Sequence, residues 1–267
     1  MKRIQLFEFE DFDWFPAWLR SCITNLLTVL LKMLGVPKAL GNHIATIVKE
    51  NNINTIVDLG SGSGGAMPEI HEILKKEHGI SDINLTMTDL YPNPTIVKKF
   101  NANKKDGITY HETPVDARNI TTAPAGLKTM VNSFHHMRPK DAKEILASAQ
   151  RNNQPILIYE MAENKMPLLI WWLFLPISLV VLMVMSLFMT PLVKPLTWKQ
   201  LVFTYLIPII PIFYAWDGQA SMPRLYAFKD YEELLQGLDS KDYRWEKGMV
   251  KKDEKKNMGT YLLGIPT

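Results

Sequence analysis

The residues with the most chemical potential fall in a few short stretches of the sequence. "VDLGSGSGG" (57–65) places Asp58 two residues before Gly60, followed by Ser61, Gly62 and Gly64. Gly60, Gly62 and Gly65 satisfy G-x-G-x-x-G, a loop in which glycines admit positive φ and let a ligand lie against the backbone. If a helix follows, its free N–H groups add to that cradle. "MVNSFHHM" (130–137) pairs His135 with His136, "PILIYEM" (155–161) carries Glu160, and "WDGQASMPRLYAF" (216–228) carries Asp217, Arg224 and Tyr226. Near the start, "FEFEDFDWFPAW" (7–18) sets Glu8, Glu10, Asp11 and Asp13 among six aromatics, Trp14 included.

These groups need elements to hold them. From residue 54 onward, short apolar runs alternate with helical patterns. The strand candidates are "TIVDLG" (55–60), "INLTMTDL" (83–90), "ITYHE" (108–112), "LKTMVNSF" (127–134) and "PILIYEM". Between them, Met67, Ile70, Ile73 and Leu74 recur at helical spacing over 66–79, and Ala142, Ile145, Leu146 and Ala149 do so over 138–152. Strands this apolar imply a parallel sheet covered on both faces. "YRWEKGMV" and "MGTYLLGI" flank the polar "KKDEKKN" and read as an antiparallel hairpin with a solvated turn. Residues 1–50 look helical, with an amphipathic stretch over 18–34.

Composition sets outer limits. The chain has 267 residues, 47% hydrophobic and 21% charged, with a net charge of +3. That balance gives no argument for nucleic acid. The single cysteine, Cys22, sits in an apolar context and is expected to be buried, which excludes disulfides and cysteine-bound metal and suggests a reducing compartment. No secretion signal is evident.

The glycine loop alone would admit a dinucleotide. Asp58, however, stands at the carboxyl end of the first strand, where it would repel a pyrophosphate and attract a ligand carrying an ammonium and a sulfonium. This favours S-adenosylmethionine (SAM) over NAD. The stretch Asp58-Leu59-Gly60-Ser61-Gly62-Ser63-Gly64 resembles the first motif, D/E-x-G-x-G-x-G, of class I SAM-dependent methyltransferases. Later segments resemble that family in order. "MTDLYP" (87–92) puts Asp89 and Leu90 where the family holds the ribose, and "PVDARNI" (114–120) puts Asp116 and Ala117 where it meets adenine. "MVNSFHHM", with Asn132, matches the segment lining the transfer site, and the final hairpin fits the family's seven-stranded sheet. The resemblance covers roughly 54–161 and 228–265. It implies a Rossmann-like α/β fold with a seven-stranded, mostly parallel sheet, and an enzyme using SAM.

Local alternatives stand beside these roles. Asp58 could cap a turn, Asp89 a helix, and Asp116 could start an Asx-turn. Tyr91 is expected to pack. The interval from Gly62 to Asp89 is a little long for the family and suggests a long first helix. His135, His136, Glu160 and Asp217 are the candidate bases, although paired histidines more often shape the pocket. No acid–histidine cluster with ligand spacing accompanies the pair, so no metal site is expected. In related methyltransferases, N-terminal helices and the segment after the fifth strand cover the acceptor. This suggests lid roles for 7–18 and 216–228, and substrate contacts for Trp14, Arg224 and Tyr226.

The remaining feature is "PLLIWWLFLPISLVVLMVMSLFMTPLV" (167–193), uncharged and long enough as a helix to cross a hydrocarbon core of ~30 Å. A second uncharged run between Lys199 and Asp217 is shorter and carries Pro208 and Pro211. Strands on both sides require the insert to be a hairpin. Full crossing would leave Lys194 and Lys199 on the far side, against the positive-inside tendency. Pro176, Pro191 and Pro195 also interrupt the first run. The division is therefore 1–50 as a helical lid segment, 51–161 with 228–267 as the SAM-binding domain, and 162–227 as an apolar membrane-associated hairpin and substrate-side segment. The expected protein is a membrane-associated methyltransferase for a small or lipid-like acceptor, its catalytic domain facing the cytoplasm. An NAD-dependent oxidoreductase and a non-catalytic SAM-binding scaffold are the rival readings. The acceptor and oligomeric state are not legible.

Overall fold

Every strand expected from the apolar runs forms. The computed structural model describes residues 1, 3–102, 107–253 and 256–267. Helices α1 (Ala17–Leu34) and α2 (Val36–Glu50) are divided by Gly35, whose left-handed φ of 80° ends α1. The alternating region follows: β1 (Thr55–Leu59), α3 (Met67–Lys76), β2 (Asn84–Thr88), α4 (Pro94–Asn101), β3 (Ile108–Tyr110), β4 (Leu127–Val131), α5 (Pro139–Arg151) and β5 (Ile156–Glu160). The insert supplies α6 (Leu168–Met189), α7 (Trp198–Leu201), a π-helical turn at Val202–Leu206 and α8 (Ile209–Arg224). Last come α9 (Phe228–Leu235), β6 (Tyr243–Lys251) and β7 (Asn257–Pro266). Residues 254 and 255, in the polar turn between β6 and β7, lie outside the described residues.

The strands form one seven-stranded sheet in the order β3-β2-β1-β4-β5-β7-β6. The first five pair in parallel, and β7 runs antiparallel to both of its neighbours. Alternate side chains feed opposite faces, as the pleat requires. Ile56, Leu85 and Leu157 pack with Leu40 and Ile44 of α2 and Ile70 of α3. Val57, Ile156 and Ile158 pack with Ile145 and Leu146 of α5 and Tyr231 of α9.

A third apolar cluster lies off the sheet. Leu19, Cys22, Ile23 and Leu26 of α1 pack with Met189 of α6 and Ile210 and Tyr214 of α8. The N-terminal helices therefore divide their duties, with α2 covering the sheet and α1 covering the insert.

Two expectations are corrected, and the break in the second run is located. Pro176 does not break the first apolar run; α6 continues through it, forgoing one internal hydrogen bond. In the second run the break falls at Ile207 and Pro208, where the axis bends by 86°, and α8 then continues past Asp217 to Arg224. The long interval between Gly62 and Asp89 does not reflect a long helix. α3 has only 10 residues, and the extra length sits in the turns on either side of it.

Candidate active site

Strand order reverses between β1 and β4, and the loops leaving their carboxyl ends frame a crevice there. In open α/β sheets that is where ligands bind. The loop after β1 is built by glycine. Gly60 has φ of 73°, and Gly64 has φ of 107° with a Phe100 ring atom 2.9 Å from where a Cβ would stand. A side chain at either position would distort the turn.

Asp58 anchors this loop from below. It is 4% exposed, Ser61 Oγ donates to its Oδ2 at 2.6 Å, and Thr129 Oγ1 of β4 donates to its Oδ1 at 2.7 Å. Burial pushes its carboxyl up to about 7, against the pull of those two hydroxyls. Asp89 closes the far side. Its Oδ2 accepts from the Gly62 amide at 2.9 Å and its Oδ1 from the Tyr91 amide at 2.8 Å, while Asn93, not Asp89, caps α4. Leu90 is exposed beside it, and Tyr91 is 77% exposed, so the packing expected of Tyr91 does not occur.

Asp116 lies close to Asp89 through the Val115 amide, which donates to the Asp89 carbonyl at 2.9 Å. Its carboxylate is taken up locally: it forms an Asx-turn to the Arg118 amide and pairs with the Arg118 guanidinium, which holds it below the usual carboxylate range. Ala117 is half-buried in the same turn.

Across the crevice, Asn132 takes a left-handed φ of 52°, and its Oδ1 accepts from the Met161 amide. Its Nδ2 and the neighbouring Ser133 Oγ are buried with no hydrogen-bond partner. Ser133 Oγ lies 3.8 Å from the Cβ position of Gly60, so these two orphan groups border the glycine loop. Buried polar groups left unpaired are costly, and such a pair marks a place for a polar ligand.

Just beyond, a 3-10 turn at Phe134–His136 presents both histidines to the N-terminal segment. Glu160 holds His135: its carboxylate accepts from the His135 amide at 2.9 Å and faces Nδ1 at 2.9 Å. A proton on Nδ1 leaves Nε2 with its lone pair free. Glu8 is 0% exposed, with Oε1 4.0 Å from His135 Nε2 and 2.9 Å from Arg224 Nη1, and Oε2 3.7 Å from His136 Nδ1. Asp11 bridges His136 Nδ1 and Arg224 Nη1, both at 2.7 Å. Burial opposes a charge on His136, but Glu8, Asp11 and Glu10 outweigh it and raise the imidazole to about 10. Burial likewise works to raise Asp11, yet His136 and Arg224 bring it down to about 2.

The same network ties the two expected lid segments together. Asp217 Oδ1 accepts from the Phe9 amide at 2.8 Å and Oδ2 from the Glu10 amide at 3.3 Å, and burial raises its carboxyl. Arg3 donates to the carbonyls of Arg224 and His135 at 2.7 Å and lies over the Tyr226 ring. Tyr226 donates to the Met137 carbonyl and packs on Phe134, so it supports the site from beneath. Trp14 is not brought in; it is 65% exposed and stacks on Phe12. Thr129, Ser133 and Arg3 were not singled out from sequence, since a hydroxyl or lone arginine carries no pattern of its own.

Arg224 is the buried cation that answers Glu8 and Asp11. Arg224→Ala is expected to destabilise the protein by about 3–5 kcal/mol, because it leaves the buried Glu8 carboxyl without that partner. Denaturant unfolding of the two proteins in detergent checks this; a loss under about 1 kcal/mol, the size expected of an exposed pair, would contradict it.

The placement of β7 decides the architecture. The dinucleotide-binding order 3-2-1-4-5-6 is parallel throughout, whereas here an antiparallel strand is inserted between β5 and the edge strand. This is the mostly parallel seven-stranded sheet with an antiparallel C-terminal hairpin that the resemblance to class I methyltransferases implies. No protein-family model and no curated protein matches the sequence. Among solved structures, the chain is similar to the methyltransferase domain of bacterial CtHen1, at 10% identity and a TM-score of 0.47, covering 86% of this chain and 98% of that one. It is also similar to human N-acetylserotonin methyltransferase in complex with SAM, at 13% identity and a TM-score of 0.45, covering 85% of this chain and 52% of that one. A third likeness is to LepI in complex with SAM, at 13% identity and a TM-score of 0.43, covering 80% and 43%. The chain thus spans about half the length of the latter two.

Proposed function

We propose that the protein is a membrane-associated SAM-dependent methyltransferase acting on a small or lipid-like hydrophobic acceptor. The observation that carries the cofactor assignment is the pair of unpartnered buried groups, Asn132 Nδ2 and Ser133 Oγ, bordering a glycine loop that Asp58 underlies with a carboxylate. They fit the polar amino-acid end of SAM, and Asp58 gives the crevice the sign that a cationic ligand requires. Asp89, at the tip of β2, is placed to accept from ribose hydroxyls once the Gly62 amide yields. Asp116 would meet adenine only by giving up part of its hold on Arg118. When bound, SAM supplies an electrophilic methyl on a positively charged sulfur. The chain's own contribution is alignment and exclusion of water, for which the segment from Arg3 to Asp11, bound across the β4 end, is suited. Glu8, His135 and His136 stand on the acceptor side, where a proton would leave a hydroxyl or amine.

Two helices, α1 and α6, are long and apolar enough to cross a membrane. α1 spends its apolar face on α6 and α8. α6 does not: Leu169, Leu173, Ile177 and Val181 form an exposed stripe at spacings of four, and Phe188 continues it. That stripe supports contact with a bilayer. A dip into one leaflet is favoured over a crossing by where the hairpin turns. Lys199, at the turn, lies 5.2 Å over the ring of Trp18. Trp18 is separated from Asp11, which is bonded to His136, by at most about 25 Å of extended chain. By this path the turn lies at most about 30 Å from Asp11, the thickness of the hydrocarbon core itself, and a full crossing would need that chain fully extended.

A cavity of about 80 Å³ sits at the root of the hairpin, between Ile4, Asn164, Trp171 and Pro223. It lies between the membrane-facing helix and the lid, where an apolar acceptor would enter. The cofactor reading is tested by thermal unfolding with SAM, its demethylated product and NAD. A ligand at a hundred times its dissociation constant adds about 2.7 kcal/mol. The first two are expected to raise the midpoint and NAD to leave it unchanged; the reverse would favour an oxidoreductase.

A further inference from the structure

We propose that Glu8, His135 and His136 bind a divalent transition-metal ion. Each offers one ligand atom, and the three atoms lie within 4.8 Å of one another. Around one ion with bonds of about 2.1 Å, ligands stand about 3–4 Å apart. Glu8 Oε1 stands 4.0 Å from His135 Nε2 and Glu8 Oε2 3.7 Å from His136 Nδ1, within that range, and Nδ1 would exchange its bond to Asp11 for the ion.

Two further observations point to a ligand there. Glu8 and His135 are fully or almost fully buried, yet Glu8 Oε2 and His135 Nε2 have no hydrogen-bond partner, and Glu8 Oε1 has only its ion pair with Arg224. These atoms face one another across the gap. In addition, Glu160 grips His135 at Nδ1 and at its backbone amide. A carboxylate on the far nitrogen of an imidazole is how metal-binding histidines are oriented and made more basic. Arg224 Nη1 already answers Glu8 Oε1 at 2.9 Å and Asp11 Oδ2 at 2.7 Å. Glu8, Glu10 and Asp11 also converge on His136, so the ion would take the place of the proton that they hold there.

Two imidazoles and one carboxylate suit zinc or iron(II) in a site that keeps positions open. The cluster is drawn from both sides of the lid, so the ion would pin the N-terminal segment over the β4 end. If the methyltransferase reading holds, on which this consequence alone rests, the open positions face the acceptor and select one with an oxygen donor. The sequence expectation of no metal looked for ligands at local spacing, and Glu8 comes from the opposite end of the chain.

The test is titration of the full-length protein, purified in detergent and stripped with chelator, with Co²⁺ and Zn²⁺. The expected result is one equivalent bound, with visible d–d absorption for Co²⁺ that Zn²⁺ displaces. His135→Gln should weaken binding at least about tenfold, and Glu160→Gln, which touches no metal, about 10–100-fold. His78→Gln, a surface histidine, should leave binding unchanged. Glu8→Gln is the third ligand variant; should it fail to fold, His136→Gln takes its place. No stoichiometric binding by the wild type, or binding unaltered by His135→Gln, overturns the proposal. SAM binding is measured separately by calorimetry, so failure of the metal site and failure of the methyltransferase reading are told apart.

Discussion

Asp58→Ala abolishes SAM binding, and with it methyl transfer, in the expected outcome. Two effects combine. Ser61 and Thr129 each donate to the Asp58 carboxylate inside the protein, and losing a buried partner costs about 1–3 kcal/mol per group. The loop that presents Gly60 and Gly62 loses its anchor as a result. The crevice also loses the buried carboxyl beneath the loop that ionises to meet a cationic ligand. Together these amount to a fall in affinity of about a hundredfold or more, read by calorimetry. Asp58→Asn separates the two effects, since it retains an acceptor for one hydroxyl while removing the charge.

The carboxyl of Asp58 also sets a pH dependence. Burial raises it from 3.8 to about 7. Between about pH 4 and 7 the unfolded chain has released this proton and the folded protein still holds it. Stability of the ligand-free protein therefore falls as pH rises through that window and then levels. SAM, as a cation, prefers the ionised form. Its affinity should rise with pH by up to about tenfold per unit below pH 7 and flatten above it. Asp58→Asn should remove that slope.

The second large effect concerns the insert. Replacing Leu173, Ile177 and Val181 by serine is expected to release the protein from membranes. Burying an aliphatic side chain of this size contributes about 1.5–3 kcal/mol, so three replacements lower the partition coefficient by about a thousandfold or more. Cell fractionation and co-sedimentation with phospholipid vesicles both report it. Wild-type protein found wholly in the soluble fraction before any alkaline wash would refute membrane contact.

The sequence displayed the sheet because its central strands, β1, β4 and β5, are buried on both faces. Runs such as "TIVDLG" and "PILIYEM" have no wet side, and that local property survives without knowledge of their neighbours. Asp58 and the glycine loop were legible for a similar reason, because strand, turn and acid lie within nine residues. What the sequence concealed depends on distant chain. Nothing local announces that Glu8 will be buried against His135 and Arg224, or that α1 will cover the insert while α2 covers the sheet. Asp116 shows the opposite case. Its position in the motif suggested a ligand contact, yet Arg118, two residues on, provides a partner in the folded chain. Trp14 was expected at the acceptor because its segment matches the lid of related methyltransferases, but the turn before α1 directs it outward to stack on Phe12.

Transfer of a labelled methyl group from SAM into a membrane lipid extract, by wild-type protein and by Asp58→Ala, tests the central claim most directly. Label appearing in one extractable product with the wild type, and none with the variant, is the result expected. Equal labelling by both proteins, or an absence of SAM binding by the wild type, would contradict it.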